Sequence, residues 1–345
     1  MTSDYLSSRP LGSAASQKPQ PSCCLWRVLP LGATPSADAI DQGLPVPTFE
    51  VNLATAASRV GARLTSVLDA QADATPDRLL SAMRHAVLGG GKRFRPFLVL
   101  EAADLFGADP DAALDVAAAL EFVHCYSLVH DDLPAMDNDA LRRGRPTVWK
   151  AYDDWTAILA GDALLTLAFE VLATPNVAIP ATTAAALMHR LALASGPRGM
   201  VGGQTLDLEA DKLGRPAQPT AGHIARLQAM KTGALITFAC EAGALLGGAA
   251  AGDLAAIRTY GEALGRAFQL SDDLLDATGH AATLGKAVGK DAIVGKATDL
   301  SLTSIEDARR RLDDLVAQAQ ASLVRFGDRA TVLVQAAQFM AIRDR

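Results

Sequence analysis

The sequence predicts an all-α protein, a single large bundle of ten or more helices. Three observations carry that expectation. Half of the 345 residues are hydrophobic, with alanine and leucine prominent, a composition that favours helix. Alternating runs rich in Val, Ile and Thr, the mark of half-buried strands, are scarce. Glycine and proline fall at short breaks between long helical periods, and no linker divides the chain.

Taken in order, the first 48 residues stand apart. They are rich in Ser, Pro and Gly, and their one apolar patch, Leu25 to Leu31, is broken by Arg27 and Pro30. A secretory signal needs a basic start and an unbroken apolar core, and neither is present. The expectation is a disordered leader over 1–48, or a start codon placed too early, followed by one domain over 49–345. A transit peptide is the weaker alternative, since Asp4, Asp38 and Asp41 dilute the required bias.

Helical periodicity begins near Val51 and predicts helices over 50–71 and 76–89, the second closed by Gly89-Gly90-Gly91. The next, 93–106, ends at Gly107-Ala108-Asp109-Pro110. A long helix over 111–133 follows and is stopped by Pro134. After Gly144-Arg145-Pro146 come 153–173 and 181–195, separated by Pro175, Asn176 and Pro180. Helix 199–211 runs up to Gly214-Arg215-Pro216, then 221–247 and 253–277 follow. Beyond a Gly/Lys-rich stretch over 279–296 the pattern closes with 302–325 and 329–342.

Composition excludes some function classes. A net charge of -6 argues against nucleic acid as a partner, which would require a basic face. Cys23, Cys24, Cys125 and Cys240 form neither a metal spacing nor a disulfide framework, which fits a reducing cytoplasm. No segment reads as membrane-spanning, because the longest uncharged run, 171–188, is interrupted by prolines.

Chemistry concentrates in two acidic clusters about 140 residues apart: Asp131, Asp132 and Asp137, then Asp272, Asp273 and Asp276. Asp272 and Asp276 are four apart, so they share one helix face about 6 Å apart along the axis. Like charges at that spacing destabilise a helix unless compensated. A solvated acidic face is the plain reading, but the flanking Phe268, Leu270, Leu274 and Leu275 make the helix a buried one. Mg²⁺ suits such clusters: it prefers oxygen, takes one or two carboxylates, and completes its octahedron with water and phosphate. Pro134 removes Asp137 from helical register, so the chain must turn back to bring it toward Asp131.

Three further features stand beside the clusters. Arg142-Arg143 could make salt bridges or take phosphate oxygens. Gly89-Gly90-Gly91-Lys92-Arg93-Phe94-Arg95 places glycines and three cations ahead of a helix, where backbone N–H groups can approach an anion. His124, Ser127 and Asp131 form one stripe of a helix, so His124 faces whatever cavity Asp131 faces. His130 and His85 are expected to be satisfied structural histidines.

Together GGGKRFRP (89–96), HCYSLVHDDLPAMDNDALRRGRPT (124–147), AGDALL (160–165), GGQTLDL (202–208), KTG (231–233) and FQLSDDLLD (268–276), followed by Lys286 and GKD (289–291), resemble the trans-isoprenyl diphosphate synthases. Bacterial-type farnesyl diphosphate synthases are the nearest branch. The resemblance implies the all-α isoprenoid synthase fold around a central active-site cavity, usually as a homodimer. It implies condensation of isopentenyl diphosphate with dimethylallyl or geranyl diphosphate, in three stages of ionisation, condensation and elimination. Asp131, Asp132, Asp137, Asp272, Asp273 and Asp276 would surround the Mg²⁺ ions, three with substrate bound. Lys231, Lys286 and Arg142 would add charge to the allylic diphosphate, with Thr232 and Gln269 lining that site. Lys92, Arg95, His124 and Arg143 would take isopentenyl diphosphate. The stretch 279–296 has the composition of a closing lid.

Product length turns on the floor of the cavity. Ser127, four before Asp131, lies on nearly the same face, and Tyr126, five before, lies to one side. A rigid aromatic there resembles the short-chain enzymes and favours a C15 product. A geranylgeranyl diphosphate synthase is the nearest alternative. A terpene cyclase would not need the Gly-rich cationic loop. A non-catalytic regulatory subunit would be expected to lose acidic residues, and a metal-stapled structural bundle leaves Lys92, Arg95, Lys231 and Lys286 unexplained.

Overall fold

The structure is a computed structural model that describes residues 48–176, 178–278, 300 and 302–342. The leader up to residue 47, Lys286 and the stretch 279–296 therefore lie outside the described residues. Among the described residues the chain forms thirteen α-helices and a two-stranded hairpin, all-α as expected.

Amphipathic spacing explains the outer helices. α1 (Phe49–Ala70) buries Phe49, Leu53, Ala56, Val60, Leu64 and Leu68, a stripe at three- and four-residue steps laid on α3 and α4. α2 (Asp77–Val87) starts after Pro76 and packs on α6. The central pair differs. α3 (Phe94–Leu105) and α4 (Pro110–Asp131) have little amphipathic bias and are buried on most sides. Asp109 caps α4 by accepting from the N–H groups of Asp111 and Ala112 at 3.0 and 2.9 Å, with Pro110 in the first turn.

Around this centre stand α6 (Asp154–Ala173), α7 (Ala181–Ser195), α8 (Met200–Leu213), α9 (Ala221–Gln228), α10 (Ala234–Leu246) and α11 (Ala251–Thr278). α12 (Ile305–Leu323) and α13 (Thr331–Ile342) close the bundle against α11. Tyr260 on α11 is fully buried and donates its hydroxyl to the Leu333 carbonyl at 2.8 Å, tying α11 to α13. Burying each large core side chain contributes about 1.5–3 kcal/mol.

Three local features depart from the expected helices. Residues 141–146 fold as a hairpin, β1 (Leu141–Arg142) against β2 (Arg145–Pro146), followed by the single turn α5 (Val148–Ala151). Its two-residue turn has positive φ at both Arg143 (52°) and Gly144 (74°), the backbone of a type I′ turn. Residues 221–247, expected as one helix, contain a π-helical turn at Ala229–Gly233. The last two helices are joined by a 3₁₀ segment, Val324–Ala330.

No segment is expected to cross a membrane, yet among the described residues three helices resemble spans in length and composition. Pro110–Asp131, Asp154–Ala173 and Ala221–Leu246 are long and apolar enough by length and composition. The uncharged-run criterion missed them because each carries a few charged residues. The windows in the first and third are 72% and 61% buried inside the protein, whereas that in α6 is 44% buried and leaves Trp155, Ile158 and Leu159 exposed.

Glu101 on α3 gives a pH-dependent prediction away from the clusters. Burial, with help from Asp104 and against Arg59, pushes its carboxyl up to about 7. A carboxyl raised in the folded state favours folding below its unfolded value near 4.5, and that advantage disappears as pH rises through 7. Glu101→Gln should therefore match wild type near pH 4 and exceed it by about 2–3 kcal/mol near pH 8. Urea melts at the two pH values check this.

Candidate active site

α4 delivers the first acidic cluster. His124, Ser127 and Asp131 all line one cavity of about 410 Å³, as their helical spacing implies. Ser127 donates to the His124 carbonyl at 2.8 Å. Tyr126 lines the same cavity, is 6% exposed, and meets His130 edge-on at 5.8 Å. Burial, and secondarily Asp131, push its phenol up to about 12. Met200, Val201, Gln204, Thr205 and Leu208 of α8, with Leu235 of α10, complete a largely apolar wall.

After α4 the chain turns back: the Asp137 N–H donates to the Asp131 carbonyl at 2.8 Å, which closes the loop as expected. Burial pushes the Asp131 carboxyl up to about 6. Asp137 and Asp132 add to the rise, and Lys231 and Arg142 oppose it. The neighbouring Asp132 is engaged by a cation. It is 3% exposed and accepts Arg142 in a two-pronged pair, from Nε at 2.9 and 3.0 Å and from Nη2 at 2.6 Å. The hairpin creates that pair by carrying Arg142 back over the cluster.

The hairpin also carries Arg143 to the Gly-rich loop, where its guanidinium donates to the Gly90 carbonyl. A buried pair anchors the loop: Arg93, with φ of 50°, donates to Glu121 on α4 and to the Val87 carbonyl. Removing one partner of a buried pair leaves an uncompensated charge. Arg93 is thus structural, while Lys92 and Arg95 face a second cavity of about 450 Å³ with His124 and Arg143. Phe339 and Met340 of α13 close that cavity, and nothing in the sequence pattern signalled them.

Arg95 and His124 belong to both cavities and form the wall between them. Burial lowers the pKa of His124 well below its ordinary value, reinforced by Arg95, Arg143, Arg142 and Arg93, so its ring is neutral at pH 7. Arg95 lies over the Phe268 ring at 5.7 Å, and the charge of Asp272 acts on it. That links the second acidic cluster to the wall.

The π turn presents Lys231 and Thr232 to the first cavity. Lys231 pairs with Asp207 of α8 at 2.5 Å. Thr232 donates to Gln269 Oε1 at 2.9 Å, and Gln269 in turn donates to Asp273 at 2.9 Å. Gln228 also donates to Asp273, at 3.1 Å. Asp273 is 5% exposed and braced by two amides, whereas Asp272 and Asp276 are partly exposed on the same helix. Asp207 and Gln228 were missed by the sequence reading. Both are ordinary polar residues until helix packing pairs them with Lys231 and Asp273.

His85 and His130 are satisfied as expected, by the carbonyls of Pro146 at 2.7 Å and Ile158 at 3.0 Å. His130 nevertheless also lines the first cavity. No three His, Cys, Asp or Glu side chains among the described residues gather into a closed metal cage. An open array of hard oxygen donors, with the buried Asp131 carboxyl held up beside two like charges, fits Mg²⁺, which keeps waters and takes phosphate oxygens.

Known proteins resemble this chain over most of its length. The family model described as Polyprenyl synthetase matches residues 76–326. The chain is 40% identical over 270 residues to a farnesyl diphosphate synthase of Geobacillus stearothermophilus, covering 78% of this chain and 90% of that protein. It is 39% identical over 269 residues to a geranylgeranyl diphosphate synthase of Cyanophora paradoxa, covering 78% and 89%. Among solved structures, the apo FPP/GFPP synthase of Zymomonas mobilis superposes with a TM-score of 0.74 at 42% identity, covering 85% of this chain and 99% of that one.

Proposed function

Since the chain belongs to the polyprenyl synthetase family, we propose that it condenses isopentenyl diphosphate with dimethylallyl or geranyl diphosphate to make farnesyl diphosphate. The observation that carries this reading is the pair of cavities sharing the Arg95–His124 wall. One is cationic and suits a short diphosphate. The other is apolar, has Asp131 and Lys231 in its lining, and suits a diphosphate with a hydrocarbon tail.

Asp131, Asp132, Asp137, Asp272, Asp273 and Asp276 would hold Mg²⁺, three ions with substrate present. The metal supplies Lewis-acid charge to the departing diphosphate. Lys231, Arg142 and Lys286 place further positive charge on that group. Lys92, Arg95, His124 and Arg143 position isopentenyl diphosphate so that its double bond meets C1 of the allylic partner. The apolar wall excludes water that would otherwise quench the cation. The proton lost from C2 passes to the released diphosphate, so no protein nucleophile is needed.

Tyr126 favours the C15 product over the geranylgeranyl alternative, because a buried rigid ring bounds the cavity beside Asp131. We place the enzyme in the cytoplasm, without a membrane span, as a homodimer. The exposed Trp155, Ile158 and Leu159 of α6 supply an apolar face that a second copy can cover.

The two-site assignment has a kinetic test. Lys92→Ala should raise KM for isopentenyl diphosphate by roughly ten- to a hundredfold, the loss expected for a charge-assisted bond. Lys286→Ala should raise KM for the allylic substrate instead. Equal effects on both substrates in either variant would contradict separate sites.

A further inference from the structure

The stripe of α8 that faces the first cavity reads Met200, Val201, Gln204, Thr205 and Leu208. Thr205 donates its hydroxyl to the Val201 carbonyl at 3.0 Å. Gln204 is different. It is 9% exposed, and among the described residues neither its Oε1 nor its Nε2 has a hydrogen-bond partner. A buried carboxamide with both ends unmet costs stability and is uncommon in folded proteins. Methionine or leucine would fill the same space without that cost.

Its place is set by backbone packing. A Cβ on Gly203 would stand 2.2 Å from the Lys231 backbone nitrogen, so only glycine lets α8 close on the π turn. One turn further along α8, Asp207 grips Lys231 at 2.5 Å. Gln204 is thereby fixed in the same cavity wall as Lys231, Thr232 and Asp131.

We infer that Gln204 is a further catalytic residue, whose carboxamide oxygen stabilises the positive charge developing on the allylic carbons as the substrate ionises. The inference rests on the prenyltransferase reading above. In that step the C1–O bond breaks and its electron pair leaves with the diphosphate. Gln204 forms no bond and moves no proton. The amide oxygen meets no donor among the described residues, so it can face the charge as it appears, and a largely apolar wall screens it less than bulk water would.

The test is steady-state kinetics and thermal melting of the full chain with Gln204→Met, Gln204→Leu and Gln204→Glu, assayed with isopentenyl and geranyl diphosphates. Wild-type inactivity would overturn the prenyltransferase reading and this inference together. With wild type active, the Met and Leu variants should lose roughly a hundredfold in kcat. KM for both substrates should stay unchanged, and Tm should be equal or higher, since an unmet amide is removed. Glu, which restores a negative oxygen, should recover most of the rate. Wild-type kcat in a Met or Leu variant, a loss confined to KM, or a folded Glu variant as slow as Met would each overturn the role of Gln204 alone. A collapse of Tm in both Met and Leu variants would assign the residue to packing and do the same.

Discussion

Asp131→Ala should lower kcat by roughly a thousandfold or more, the loss expected when one group stabilising developing charge is removed. The protein should remain folded. In the wild type, burial and two neighbouring carboxylates already hold the Asp131 carboxyl up near 6, so its ionised form is uncomfortable at pH 7 without a cation. Removing it relieves that repulsion, and Tm at pH 7 should be unchanged or higher. Asp272→Ala should behave alike in activity. Single-turnover rates with saturating Mg²⁺, beside melting curves, separate the two effects. Near-normal turnover in either variant would refute the metal assignment.

Tyr126→Ala should shift the product from farnesyl to geranylgeranyl diphosphate or longer. The ring is 6% exposed, forms part of the cavity wall and is held edge-on against His130 at 5.8 Å. A growing chain that must displace it overpacks a buried site, typically at about 1–3 kcal/mol, enough to favour release over another addition. Truncation to alanine opens the wall, and Ser127 beside it offers no comparable bulk. Chain-length analysis after incubation with excess isopentenyl diphosphate reads the change. An unchanged C15 product from a folded variant would show that Tyr126 only packs between helices.

The helices were legible because a buried stripe of the right period leaves its mark on every turn, as Leu53 to Leu68 do in α1. The stripe of His124, Ser127 and Asp131 was legible for the same reason, and Lys92, Arg95, His124 and Arg143 of the cationic cavity were named from the sequence. Other features left no such mark. The hairpin at 141–146 was hidden because Arg143 takes positive φ, a conformation that favours Gly or Asn. The π turn was hidden because one extra residue in a helical repeat cannot be told from the ordinary period over five residues. Asp132 is paired with Arg142 and Asp273 is braced by Gln228 and Gln269, while Asp131 lines the first cavity. That arrangement depends on which side of a helix end the chain returns to, which spacing alone does not encode.

The most direct measurement of the central claim is the product formed by the purified wild-type chain from isopentenyl and geranyl diphosphates with Mg²⁺, resolved by chain length. The account predicts a single condensation to C15 farnesyl diphosphate, abolished when the metal is chelated. A C20 product would contradict the bounded cavity at Tyr126, and no condensation at all would contradict the reading of the two cavities as paired diphosphate sites.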